Sequence, residues 1–310
     1  MIEDSQNKIP TGLAQQTKKA SVFRKNYIWI YSLSIFIVIS FIFLGSLYFP
    51  LIHFGNNVVD LSNLFDKSVF IYILIGFLAQ MIDGTLGMAY GVVSNTFLLS
   101  FGIYPLTASA SVHISEIFTS GFSGLSHFKF GNFNAKLFKS LLIPGIIGAI
   151  FGAYILSSFQ NYNYFIKPII SIYTLLFGFI ILVKAMKKVN IRQKIKRLFP
   201  LAFMGGFLDS IGGGGWGPII SSTLIASGKN PRHTIGSVNL AEFFVTLASS
   251  LTFITLIGVT NLQIIFGLIF GGIIASPISA YLVNKIPIKI LMILLGILII
   301  IISLSGLFFN

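Results

Sequence analysis

The 310-residue chain is 55% hydrophobic and 9% charged, with a mean hydropathy of +0.90, whereas a typical globular protein is about 25% charged. Its 21 basic and 8 acidic side chains cannot cover a soluble protein of this length, so a soluble fold is excluded. A polytopic membrane protein is expected, with roughly ten helical segments of about 20 residues each.

In chain order, residues 1–26 form a polar, basic tail that is expected to be disordered, and Tyr27–Phe49 follow as a long apolar run. That run is long for a signal-peptide core, and no small-x-small cleavage pattern follows it, so a retained helix entering from the cytoplasm is expected. Apolar segments then fall at 68–82, 86–101, 106–127, 137–159 and 165–185, and again at 199–211, 216–227, 233–258, 262–283 and 288–309. In each series the first two segments are too short to cross about 30 Å comfortably, and the other three are full length. Residues 186–198 form a basic linker between the series.

The two series resemble each other. Ser111-Val112-His113-Ile114-Ser115-Glu116 matches Ser237-Val238-Asn239-Leu240-Ala241-Glu242, and Gly145-Ile146-Ile147 matches Gly272-Ile273-Ile274 at nearly the same spacing. Such agreement in separate segments points to an internal duplication, with one repeat over 68–185 and the other over 199–309.

Charge placement sets the orientation. The net charge of +13 would point to nucleic acid in a soluble protein. Here all the Lys and Arg residues except Lys67 and Lys167 cluster in the tail, at 129–139, at 184–197 and near 229–232 and 285–289, as positive-inside signals do. With the N-terminus and 184–197 in the cytoplasm, the two short hairpins must enter the membrane from opposite faces. The expected fold is therefore an all-α inverted repeat. Each unit is a short Gly-rich helical hairpin plus three transmembrane helices, and one extra helix precedes them.

The hairpins are expected to turn at Met81-Ile82-Asp83-Gly84-Thr85-Leu86-Gly87-Met88 and at Asp209-Ser210-Ile211-Gly212-Gly213-Gly214-Gly215-Trp216-Gly217-Pro218. Non-helical backbone at membrane depth survives only when buried or lining a wet cavity. The N–H groups opening the next helix would attract an anion. Glycine at such places can also serve tight helix packing alone. The substrate is expected between the two tips, at Asp83, Gly84, Thr85, Gly87, Ser210, Gly212, Gly213, Gly214, Gly215, Trp216 and Gly217.

Of the eight acidic residues, Asp83, Glu116, Asp209 and Glu242 fall in hydrophobic segments, where ionisable groups are functional candidates by default. His113 precedes Glu116 by three positions and Asn239 precedes Glu242 by three, so each pair shares a helix face. Glu116 and Glu242 are expected to carry proton coupling, with His113, Asp209 and Asn239 as the polar core around them. An ionised carboxylate would repel an anion, so these groups are expected to be proton sites rather than anion ligands.

The Gly-rich hairpin 209–218, Gly236-Ser237-Val238-Asn239 and Gly271-Gly272-Ile273-Ile274-Ala275-Ser276-Pro277 resemble the sulfite exporter TauE/SafE family over about 68–309. The resemblance implies an inner-membrane transporter for sulfite, sulfonates or related small organic anions. Asp83-Gly84-Thr85-Leu86-Gly87 departs from the glycine run in the first half.

The rival readings are an anion channel, an intramembrane enzyme and a structural subunit. No His-Glu-x-x-His motif, no Gly-x-Ser-x-Gly elbow near a His and no phosphate-binding Gly-x-x-x-x-Gly-Lys-Ser/Thr loop is present, so no metal, cofactor or ATP-driven step is expected. With no cysteine, disulfides, thiolate metal sites and thiol catalysis are excluded. The expected partners are a small anion, the lipid bilayer and a second copy of the chain as an open possibility, and no nucleic acid.

Overall fold

The computed structural model describes residues 68–129, 131–186, 197–259, 261–282 and 288–308. The tail at 1–26, the helix expected at 27–49, the loop with Asp60 and Asp66, and linker residues 187–196 lie outside the described residues.

Among the described residues ten α-helices follow one another without a strand. They are α1 (Ser68–Leu86), α2 (Tyr90–Ser100), α3 (Pro105–Lys129), α4 (Ala135–Ser158), α5 (Asn163–Met186), α6 (Leu198–Gly212), α7 (Ser222–Ala226), α8 (Pro231–Ile257), α9 (Leu262–Leu282) and α10 (Ile288–Phe308). A 3₁₀ turn, Gln160–Tyr162, precedes α5, and a π turn, Gly217–Ser221, leads into α7.

Local chemistry accounts for the helix ends. Asn134 caps α4 by accepting from the Leu137 N–H at 3.0 Å, the usual role of a side-chain oxygen at a helix start. Proline opens α3 and α8, where its missing N–H costs nothing. The described glycines with left-handed φ form three pairs, Gly87 with Gly213, Gly102 with Gly228, and Gly131 with Gly258. Each pair is separated by nearly the spacing that relates the two halves of the sequence.

Three spans, Ala135–Ser158, Tyr164–Met186 and His233–Ile257, are both long and apolar enough to cross a membrane. The chain is therefore an all-helical, multi-pass membrane protein. Six full-length helices are expected over 68–309. α3 reaches 25 residues but turns Ser109, Ser111, His113, Ser115 and Glu116 inward, all buried, so it is too polar to count among the apolar spans. α9 and α10 are apolar helices of 21 residues each. Meanwhile Phe151, Phe165, Leu176, Leu294 and Ile301 are exposed. Lipid accepts an apolar surface, and polar groups must turn inward.

Helix packing is reciprocal between the halves. α1 packs on α9 and α6 packs on α4, while α3 pairs with α8 and α5 with α10. The first two contacts run through glycine. A side chain at Gly76 would strike the Leu268 backbone, and one at Gly206 would strike the Gly145 carbonyl. Close backbone approach of this kind drives helix association in lipid, where burial of apolar area contributes little.

Candidate functional site: the hairpin tips and the buried carboxyls

The second hairpin is built around Asp209. α6 runs on to Gly212, and Gly213 ends it with φ 66°, a conformation that costs glycine nothing. Asp209 therefore sits in the last helical turn, not in the turn itself. Its Oδ1 accepts from the N–H groups of Gly215 at 2.6 Å and Trp216 at 2.9 Å. The amides expected to attract an external anion are thus held by the protein's own carboxylate.

The first hairpin ends later than its sequence suggests. α1 continues through Gly84 and Thr85 to Leu86, and the chain reverses at Gly87, with φ 66°, and Ala89, with φ 107°. The break falls where positive φ is required, not at the first glycine. Asp83 is again in the final helical turn, and its Oδ1 accepts from the Tyr90 N–H at 3.4 Å.

The two tips touch backbone to backbone. A Cβ at Gly214 would lie 1.9 Å from the Val92 nitrogen, and one at Gly91 would lie 2.3 Å from the Gly213 carbonyl oxygen. Gly213 and Gly214 meet Asn95 and Val92 of the first hairpin, and Gly212 and Gly215 meet Tyr173 of α5, so a Cβ at any of the four would collide. Asn95, in α2, ties the tips together by donating its Nδ2 to the Gly212 carbonyl, and Tyr173 OH donates to the Leu208 carbonyl at 3.2 Å.

Two of the residues expected at the substrate are engaged internally. Trp216 is fully buried and gives its indole N–H to the Val238 carbonyl at 3.2 Å, in an apolar cluster with Leu141, Ala202 and Val245. Ser210 Oγ shares a hydrogen bond with Ser249 Oγ at 2.6 Å.

The polar core lies beside the second tip. His113 Nε2 faces Asp209 Oδ2 at 3.2 Å, and its Nδ1 faces the Ser109 carbonyl at 2.7 Å. The Phe253 ring covers it at 5.8 Å. Sequence spacing pairs His113 with Glu116 on one helix face, but the ring's hydrogen bonds go to Asp209 and Ser109. Glu116 is 4% exposed, and its Oε2 has no hydrogen-bond partner. His113, Glu116 and Asp209 each bring a ligand-capable atom within 4.8 Å of the others, and the first and last spend theirs on each other.

All four intramembrane carboxyls converge. Glu116 interacts electrostatically with Glu242, Asp209 and Asp83, and Glu242 does so with Asp83 and Asp209. Asn239 takes a different role from His113: its Nδ2 donates to Ser123 Oγ at 2.7 Å, leaving Oδ1 buried without a partner.

Sequence reading missed Ser109, Asn95, Tyr173 and Ser249. Asn95 and Tyr173 were visible as polar interruptions of apolar runs; the serines carried no signal, since serine is common in these segments. Lys184, grouped with the basic strip by its position, belongs to the last turn of α5. It reaches Ser222 Oγ at 2.5 Å, linking α5 to the second hairpin.

Comparison with known proteins agrees with this architecture. The family model described as sulfite exporter TauE/SafE matches residues 72–306. The chain is 41% identical over 240 residues to "Probable membrane transporter protein YtnM" of Bacillus subtilis (strain 168), covering 74% of this chain and 79% of that one. No solved structure matches. With its carboxyl cluster inside a sheath of apolar helices, this multi-pass membrane protein belongs to the sulfite exporter TauE/SafE family.

Proposed function

We propose that this membrane transporter is a secondary carrier of a small anion, sulfite, an organosulfonate or a related sulfur-containing anion, moved by alternating access with proton coupling. It works as a carrier and not as an enzyme. The observation that carries the reading is the convergence of Asp83, Glu116, Asp209 and Glu242 from α1, α3, α6 and α8. Four carboxyls at one place in an apolar protein are expensive unless they take up and release protons. The family description supports sulfite and related anions as the substrate class, and the name of the Bacillus relative supports membrane transport.

The repeats 68–185 and 199–309 form an inverted pair in this reading. The reciprocal packing of α1 on α9 and α6 on α4, and the matched left-handed glycines, support it. The anion binds between the tips, around Asp83–Gly87 and Gly212–Gly215, once the tips part, with Ser210 and Trp216 packed behind them. The protein resides in the inner membrane with its N-terminus in the cytoplasm.

A thermal-unfolding panel of sulfite, sulfate, thiosulfate, taurine, sulfoacetate and small carboxylates tests the substrate class. A ligand at about 100 times its Kd adds about 2.7 kcal/mol. If no anion raises the unfolding temperature, and none enters proteoliposomes under a pH gradient, the reading fails.

A further inference from the structure

The hydrogen bonds around His113 fix its protonation. Nδ1 lies 2.7 Å from the Ser109 carbonyl oxygen, which can only accept. Its other neighbour, Ser109 Oγ at 3.3 Å, gives its own hydrogen to the Ser210 carbonyl at 2.6 Å. Nδ1 therefore carries a proton. Nε2 faces Asp209 Oδ2 at 3.2 Å, and without a second proton that contact would set a lone pair against a carboxylate. Oδ1 of the same carboxylate already accepts from Gly215 and Trp216. One further proton must lie between Nε2 and Oδ2, and with it the pair is neutral overall, whichever atom holds it.

We infer that this shared proton is a latch between the two halves of the chain, and that its release frees the second hairpin from α3. The inference rests on the carrier reading and names its coupling step. His113 belongs to α3 and Asp209 to the hairpin that starts with α6. Loss of the proton to water turns an attractive contact into a repulsive one. It also leaves one negative charge beside Glu116 on α3 and Glu242 on α8, which themselves face Asp83 on α1. Tyr173 on α5 also faces Asp209, and Tyr90 on α2 faces Glu116 and Asp83. No Lys or Arg contacts the pair among the described residues, so no cation nearby takes over the proton's role. An anion between the tips would be repelled by the deprotonated pair and tolerated by the protonated one. Anion and proton are therefore taken up together into the latched state, and loss of the proton frees the hairpin and expels the anion, as symport.

Hydrogen exchange at the Gly215 and Trp216 amides reads the latch directly, in the full-length protein in nanodiscs without substrate. After correction for the intrinsic rate, the wild type should lose protection with rising pH, by up to about tenfold per pH unit where one proton controls opening. Asp209→Asn keeps both amide acceptor contacts and offers its own N–H to Nε2, so its protection should not change with pH. His113→Gln, whose amide can donate to ionised Asp209, should remove the pH dependence by the other route. A pH-independent wild type, or variants that follow the wild-type pH profile, overturns the inference. So does protection that responds to added Zn²⁺ or to a chelator instead of to pH.

A second arm uses methanesulfonate, an anion with no proton of its own to carry. Its uptake should acidify the lumen of proteoliposomes, and alkalinisation during uptake overturns symport. The exchange arm needs no substrate, so failure of the proposed substrate class and failure of the latch are separately visible.

Discussion

Asp83 and Asp209 each accept a hydrogen bond from the backbone N–H seven residues ahead, Tyr90 at 3.4 Å and Trp216 at 2.9 Å. Each sits in the last turn of the helix entering a hairpin and caps the helix that leaves it. A left-handed glycine, Gly87 or Gly213, lies four residues past each aspartate. The same device thus recurs in two hairpins of different sequence. The halves diverge one shell further out, where His113 pairs with Asp209 while Asn239, its counterpart in the sequence match, turns to Ser123.

Gly214→Ala tests the crossing of the tips. Its Cβ would fall 1.9 Å from the Val92 nitrogen, where the obstacle is backbone and cannot rotate away. Overpacking of this kind costs about 1–3 kcal/mol. The variant should unfold at lower temperature in detergent and transport poorly. Unchanged melting and uptake would mean the tips are not in contact in the working protein.

Trp216→Phe separates a packing residue from an anion ligand. The indole N–H donates to Val238 within an apolar cluster. Its loss should therefore lower stability by about 1–3 kcal/mol, through a cavity and an unpaired carbonyl. The apparent KM for a transported anion should stay within about twofold, whereas loss of a direct hydrogen bond of about 1.4 kcal/mol would raise it tenfold. A tenfold rise with unchanged stability would place the indole at the substrate.

Glu116→Gln removes one of four mutually repelling carboxyls whose Oε2 has no partner. Stability should hold or rise, because no hydrogen bond to Oε2 is lost and like-charge repulsion falls. Uptake driven by a pH gradient should nevertheless disappear, and Glu242→Gln should behave in the same way. If both variants keep the full pH dependence of transport, these two carboxyls pack the helices and carry no proton.

Orientation is tested with single cysteines in this cysteine-free chain. Tyr104 and Lys136 are both exposed and flank α3. A membrane-impermeant thiol reagent on intact cells should label Tyr104→Cys and spare Lys136→Cys and Asn190→Cys. The reverse pattern would invert the topology.

The membrane class, the ten described helices and the inward polar residues were all legible in the sequence, because each depends on composition and local periodicity. An apolar run of helical length has few other fates, and a glutamate in its middle must turn inward. Hydrogen-bond partners were not legible, since they depend on which helices meet. Sequence spacing puts His113 beside Glu116, yet its partner is Asp209 on a helix about a hundred residues away, brought there when the second hairpin packs against α3. In the same way, the glycine run could equally have exposed amides to a ligand or admitted a neighbouring backbone. What the run meets here follows from the packed tips, with Val92 against Gly214 and Asp209 accepting from the amides of Gly215 and Trp216.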